Sequence, residues 1–166
     1  MTRCLYILVL VSLSACLQAQ SVFSITSGRW VDITTWSGIV PDSTSNVSIG
    51  FVHSDTIDSA TFCNDLTIYG ELVIDDGGSL YIGGDLFIYG GTLNIDSGKA
   101  AVIGETQIGG NLDIVDGPNA YIQFSGSVGN DFNTNMVIHE GGVIVYSGSM
   151  SFAPAEEEEE EIIPVE

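Results

Sequence analysis

The sequence predicts an all-β chain: a three-sided parallel β-helix, a β-solenoid of about 20 residues per rung, with an N-terminal cap. Three observations carry this. Leu66-Thr67-Ile68-Tyr69-Gly70 returns as Leu86-Phe87-Ile88-Tyr89-Gly90 and again as Thr106-Gln107-Ile108-Gly109-Gly110, at offsets of 86 − 66 = 20 and 106 − 86 = 20 residues. Two further series of triplets interleave with these. One is Leu72-Val73-Ile74, Leu93-Asn94-Ile95 and Leu112-Asp113-Ile114; the other is Leu80-Tyr81-Ile82, Ala101-Val102-Ile103 and Ala120-Tyr121-Ile122. Between triplets stand Gly-Gly, Asp-Gly, Ser-Gly or Gly-Pro, which turn the chain sharply.

Each triplet runs apolar, variable, apolar, the period of a strand with one buried face. Three such strands per repeat, turned three times, make one rung, and a rung buries its apolar face only against its neighbours. An antiparallel sandwich would give no register at a fixed offset. The expected inward columns are Leu66, Leu86, Thr106; Ile68, Ile88, Ile108; Leu72, Leu93, Leu112; Ile74, Ile95, Ile114; and Ile82, Ile103, Ile122. An imperfect first rung precedes them through Val47, Ile49, Val52, Ile57 and Phe62. A fourth continues through Val128, Met136 to Ile138 and Val143 to Val145, with Gly129 to Thr134 bulging as a loop. Phe23 to Pro41 carry both tryptophans, Trp30 and Trp36, and do not fit the coil, so they are expected to cover its open end. The domain plan is a leader over 1–19, a cap over 20–45, a parallel β-helix over 46–153 and an acidic linker or tail over 154–166.

The leader follows from charge and then apolarity. Met1-Thr2-Arg3 precedes the apolar run Cys4 to Val11, with small residues at Ser12, Ser14 and Ala15. That is the order of a secretory signal peptide, and the run is too short to span a bilayer as a helix. Leu13-Ser14-Ala15-Cys16 resembles the lipobox of bacterial lipoproteins, which would make Cys16 the lipidated N-terminus and shorten the leader to 1–15. Leu17-Gln18-Ala19-Gln20 resembles an ordinary cleavage region, with the cut after Ala19, and is the favoured reading. In either case Cys63 is left alone, so no intrachain disulfide staples the fold. Roughly 145 mature residues must be held by a core.

Charge excludes partners. The 22 acidic residues face Arg3, Arg29 and Lys99, for a net charge of −19, and Arg3 belongs to the leader. Nucleic acid needs phosphates neutralised by Lys and Arg, which two basic residues cannot do, and anionic surfaces are disfavoured for the same reason. A membrane is reached only through a lipid on Cys16. The run Glu156 to Glu161, after Ala153-Pro154-Ala155, is read as solvated linker or tail, a charged guard on the open end of the stack.

Trp30-Val31-Asp32-Ile33-Thr34-Thr35-Trp36-Ser37-Gly38-Ile39-Val40-Pro41, followed by Ser45-Asn46-Val47-Ser48-Ile49, resembles a recurrent opening. Many exported Bacteroidetes proteins begin with W-x-D-x-x-T-W-x-G, a proline and a short x-N-V-x-I strand, then glycine-rich β-helix. The pattern also looks like the start of the eight-glycine domain of animal cell-surface proteins of the fibrocystin and hyaluronan-processing kind. The resemblance covers residues 22 to about 150 and implies an exported surface protein with a β-helical body. It carries no catalytic residue onto this chain. Bacterial proteins of this group often end in a sorting domain for type IX secretion, introduced by a Pro-Val-Glu-Leu-like segment. Ile162-Ile163-Pro164-Val165-Glu166 resembles its opening, where the sequence stops before any sorting domain; either the sequence is truncated there or the protein is exported another way.

Three constellations could carry chemistry. Asp65, Asp85 and Glu105 fall in one column on successive rungs, where carboxylates about 5 Å apart repel by ~0.8 kcal/mol in water. Calcium is the cation that would relieve this, through oxygen ligands at about 2.3–2.6 Å; the alternative is carboxylates splayed into solvent. Asp75, Asp96 and Asp116 form a weaker column in which Asp-Gly pairs serve turns. Outward aromatics form the second constellation: Tyr69, Phe87 and Tyr89 on one face, Tyr81 and Tyr121 on another. Such rows suit a sugar ring or a protein partner, or simply stack on one another. The third is catalysis: His53 and His139 are far apart, and no Ser/His/Asp or metal-ligand spacing surrounds either. A carboxylate pair for glycoside hydrolysis is the remaining enzymatic option.

The expected function is a non-catalytic structural or adhesive module of an exported bacterial surface protein. A glycan-binding module using the outward tyrosines is the alternative, and a carbohydrate-active enzyme comes third. The partner class is a glycan or a cell-surface protein, and no cofactor other than calcium is implied.

Overall fold

Alternating apolar residues do form strands, and the glycine-bearing corners wind them into a coil. The computed structural model describes residues 19–115, 119–130, 135–139 and 142–151. The leader with Cys16, Asp116, most of the Gly129–Thr134 insertion and the tail from Phe152 lie outside the described residues. The chain is a parallel β-solenoid of about 6 turns, with about 21 residues per turn.

Three sides make each turn. The first stacks β1 (Gln20–Phe23), β3 (Ser45–Ile49), β6 (Leu66–Ile68), the front of β9 (Leu86–Asp96), the front of β11 (Thr106–Val115), β13 (Val128–Asn130) and β16 (Met150–Ser151). The second stacks β2 (Gly28–Arg29), β4 (Ser54–Ile57), β7 (Glu71–Ile74), the rear of β9 and β11, and β14 (Asn135–Ile138). The third stacks β5 (Ala60–Cys63), β8 (Ser79–Ile82), β10 (Lys99–Val102), β12 (Tyr121–Phe124) and β15 (Val143–Tyr146). Every strand pair is parallel. The first two sides merge into one sheet because β9 and β11 run unbroken through the corner between them.

That corner is made of glycine. A Cβ on Gly91 would overlap the carbonyl oxygen of Gly70 in the turn above, and one on Gly110 would overlap that of Gly91. Gly90 also has φ +70°, a conformation that side chains disfavour. Glycine at these places lets successive turns approach to hydrogen-bonding distance.

The columns through Leu66, Leu86 and Thr106, through Ile68, Ile88 and Ile108, and through Leu72, Leu93 and Leu112 are inward and buried, as the alternation predicts. So is the column through Ile74, Ile95 and Ile114. Each such aliphatic side chain contributes roughly 1.5–3 kcal/mol by leaving water.

The third side differs from expectation by one residue. Val102, not Ile103, stacks on Ile82, and Ala100 stacks on Leu80; Ile103 is 42 % exposed. Ile122 and Phe124 complete the inward set, paired with Ala100 and Val102. Both frames of Ala100-Ala101-Val102-Ile103 alternate acceptably, so alternation alone does not choose. The corner chooses: Gly104 donates its N–H to the Gly84 carbonyl at 2.8 Å, which leaves Ile103 on the turn. The same shift puts Tyr121 beside Lys99 and Ser79, two positions from the row of Tyr81, so these tyrosines share a side but not a row.

The first rung also departs from the reading. Val52 is 87 % exposed and Phe62 is 50 % exposed, while Asp55, Thr61 and Cys63 point inward. Phe62 pairs with outward Tyr81 and Cys63 with inward Ile82, which fixes the parity. The cap is likewise more regular than expected, since β1 pairs with β3 and β2 with β4, extending the stack. Beyond them a single 3-10 turn (Ile33–Thr35) folds back, and Trp30 and Trp36 meet edge to face, ring centres 4.9 Å apart, both buried. Trp36 donates its indole N–H to the Trp30 carbonyl at 2.7 Å, and Thr35 donates its hydroxyl to the Arg29 carbonyl. The W-x-D-x-x-T-W run is thus an apolar lid locked by its own hydrogen bonds.

Candidate functional site: an aromatic strip and its groove

The corner leading into the first side places the acidic column where the sequence puts it, and gives its members different partners. Asp85 donates its backbone N–H to the Asp65 carboxylate at 3.0 Å, and Glu105 donates its own to the Asp85 carboxylate at 2.7 Å. A Cβ on Gly84 or Gly104 would overlap these carboxylate oxygens, so the glycine before each acid leaves room for the one above to fold over it. The carboxylates thereby supply acceptors for amides that the β-ladder does not satisfy. Glu105 ends the series, its place being taken one turn on by Ser127. Among the described residues no group of three or more His, Cys, Asp or Glu is placed to hold a metal ion.

From this corner the outward side chains of the first side carry the aromatics. Phe87 and Tyr89, two residues apart on β9, stack with rings 4° from parallel and centres 5.8 Å apart. Tyr69 stacks on Tyr89 at 5.9 Å, and Phe51, 76 % exposed, caps Tyr69 at 4.9 Å. The strip therefore unites the three predicted residues Tyr69, Phe87 and Tyr89 and adds Phe51, a loop residue with no periodic signal. On the third side Phe62 and Tyr81 form a separate pair at 6.2 Å. Tyr121 belongs to neither cluster and donates its hydroxyl to the Gln123 side-chain oxygen at 2.9 Å.

The strip stops where Gly109 replaces a tyrosine. Below it opens a groove of about 390 Å³, walled by Phe87 and Tyr89 and lined by Glu105, Gln107, Ser127, Gly129, Ser149 and Ser151. The Gln107 amide lies against Gly129, where a Cβ would crowd its oxygen. An aromatic wall beside hydroxyls, an amide and a carboxylate can hold a ligand with one apolar face and a polar rim. A second hollow of about 520 Å³ lies between the lid and the third side, lined mainly by apolar groups including Trp30, Val40, Pro41 and Phe62.

A third arrangement was not legible from spacing, because its members are 29 residues apart along the chain. Ser24 at the end of β1 and His53 before β4 share a hydrogen bond at 2.6 Å between Oγ and Nδ1, and Ser24 Oγ also accepts the Gly50 N–H at 2.9 Å. Asp55 is fully buried nearby; one carboxylate oxygen accepts the Gly28 N–H at 3.1 Å and the other has no hydrogen-bond partner. Burial pushes its pKa up to about 6, against the opposing pull of the Gly28 N–H, His53 and the Ser24 hydroxyl. Spacing along the sequence shows no Ser/His/Asp set at His53; the fold brings Ser24 and Asp55 to it. In this set the serine is buried and held between histidine and backbone, which ties the cap to the first full rung.

Two further ionisable groups are paired. His139 pairs with Asp113 at 3.1 Å, and Arg29 pairs with Asp58. Cys63 is a free thiol, buried in the core, with its pKa pushed up to about 12 by desolvation and then by Asp65. Comparison with protein-family models, with curated proteins and with solved structures finds no match to this chain.

Proposed function

We propose that the chain is a non-catalytic structural or adhesive module of an exported bacterial surface protein, and that its contact face is the strip of Phe51, Tyr69, Tyr89 and Phe87. The observation that carries this reading is a run of four contacting aromatic rings at the surface, Phe51 and Tyr89 exposed and Tyr69 and Phe87 half-buried between them. Contiguous exposed apolar surface of this kind is unfavourable in water unless something covers it. Export rests on the N-terminal leader, and the partner class is a glycan or a cell-surface protein rather than a polyanion. Adhesion of the purified mature protein to bacterial envelopes or matrix polysaccharide tests the reading. The double variant Tyr69→Ala/Tyr89→Ala should lose adhesion while its circular dichroism stays native. A wild-type protein that adheres to nothing would sink it. Mass spectrometry of the mature N-terminus, read as Gln20 or a lipidated Cys16, tests the export route and the lipid anchor.

A glycan-binding module is favoured, as a second reading, by one specific feature: the strip ends in a polar groove rather than in more apolar surface.

A further inference from the structure

We propose that the groove below Phe87 and Tyr89 is a binding subsite for a neutral saccharide unit, with that aromatic pair as its apolar wall and Glu105 as its principal acceptor. This rests on the adhesive reading and names the ligand class of the same face.

Phe87 and Tyr89 stack on each other with rings 4° from parallel, and both wall the groove. A pyranose presents C–H groups on one face and hydroxyls around its rim, so it can stack on such a wall and still hydrogen-bond sideways. The rim partners are present: Ser127, Ser149 and Ser151 hydroxyls and the Gln107 amide can donate or accept. Glu105 differs from Asp65 and Asp85, whose carboxylates accept the backbone N–H of the next acid in the column. Its own carboxylate borders the groove and is exposed to whatever enters. A carboxylate accepting sugar hydroxyls forms charge-assisted hydrogen bonds, stronger than neutral ones.

Charge decides the sugar class. Among the described residues that line the groove, Glu105 is the one ionisable acid or base other than the phenol of Tyr89, and none of them is Lys or Arg. Uronic, sialic and sulfated sugars would bring a second negative charge to an unneutralised carboxylate on a chain of net charge −19. Neutral hexoses meet no such penalty.

The test is NMR titration of the full mature protein with neutral gluco-, manno- and galacto-oligosaccharides and, in parallel, with oligouronates. Shifts should appear at Phe87, Tyr89, Gln107 and Ser127 with at least one neutral series and with no oligouronate. Tyr89→Ala should weaken that binding about fivefold to tenfold. Glu105→Gln, which keeps size but replaces one acceptor oxygen with an NH2 donor and removes the charge, should weaken it a few-fold and relieve the exclusion of oligouronates. Folding of each variant is checked by its unchanged dispersed spectrum. Shifts confined to the Phe62–Tyr81 pair, equal binding of oligouronates by the wild type, or no shift with any neutral series would overturn the proposal. If the protein still adheres to surfaces through the strip, the adhesive reading survives that failure; if adhesion is also absent, both fall.

Discussion

The side-chain carboxylate of Asp85 accepts the backbone N–H of Glu105, one turn further along the solenoid, at 2.7 Å. Asp65 treats Asp85 in the same way, at 3.0 Å. The acidic column is therefore a run of side-chain acceptors for corner amides, and the repulsion between its members is offset by hydrogen bonds to ionised oxygen.

Removing one acceptor should expose this. Asp85→Ala leaves the Glu105 N–H without its partner and should cost about 1–2 kcal/mol, a fall in Tm of several degrees. Asp85→Asn keeps an acceptor oxygen at the same place and should melt within about a degree or two of wild type. Millimolar calcium should leave the wild-type melting curve unmoved if the corner amides, which already engage the Asp65 and Asp85 carboxylates, are what hold the column. A calcium-dependent rise in Tm that disappears in Asp85→Asn would instead establish cation bridging.

The register of the third side predicts an asymmetric pair. Val102 is fully buried and Ile103 is 42 % exposed. Val102→Asp should unfold the chain, as Ile88→Asp should, since each buries an unpaired charge in the stack. Ile103→Asp should change stability by roughly 0.5 kcal/mol or less, and Phe87→Ser, which loses one half-buried stacked ring, by about 1 kcal/mol. Urea titrations of the four variants decide it; a tolerant Val102→Asp would mean that the frame is shifted.

Asp55 predicts a pH dependence of defined sign. Its folded pKa, about 6, lies above its ordinary value of 3.8, so the folded state holds the proton more tightly than the unfolded chain does. This stabilising contribution is complete below about pH 4 and is lost as pH rises through about 6, above which it is flat. Asp55→Asn keeps an acceptor for the Gly28 N–H and removes the buried charge. At pH 7 it should stabilise the protein by about 1–3 kcal/mol. The difference between variant and wild type, from urea unfolding at pH 4.5 to 7.5, should grow with pH across this window. A constant difference would mean that the carboxyl does not titrate there.

Gly91 predicts a steric limit. A methyl group there would overlap the Gly70 carbonyl, so Gly91→Ala must push two turns apart and break the adjoining ladder. A loss of roughly 1–3 kcal/mol is expected from overpacking. Gly38, where an added Cβ meets nothing within 4 Å, is the control, and Gly38→Ala should melt like wild type.

The sequence by itself determined the architecture. A strand period of two, glycine corners and an offset near 20 residues are local and repetitive, so they specify strands, coil and most inward columns without knowledge of any contact. It also determined the acidic column and the outward placing of Tyr69, Phe87 and Tyr89, since both follow from parity within a repeat. Only the tertiary structure decided the frame at Ala100–Ile103, where both alternations are apolar and the hydrogen bond from Gly104 to Gly84 breaks the tie. It decided, too, that Phe51 completes the strip, that Glu105 rather than another acid borders the groove, and that Ser24, His53 and Asp55 meet. Those relationships join residues about one turn or more apart in sequence. They exist because stacking sets neighbouring turns roughly 4.8 Å from one another, a distance that a reading along the chain does not contain.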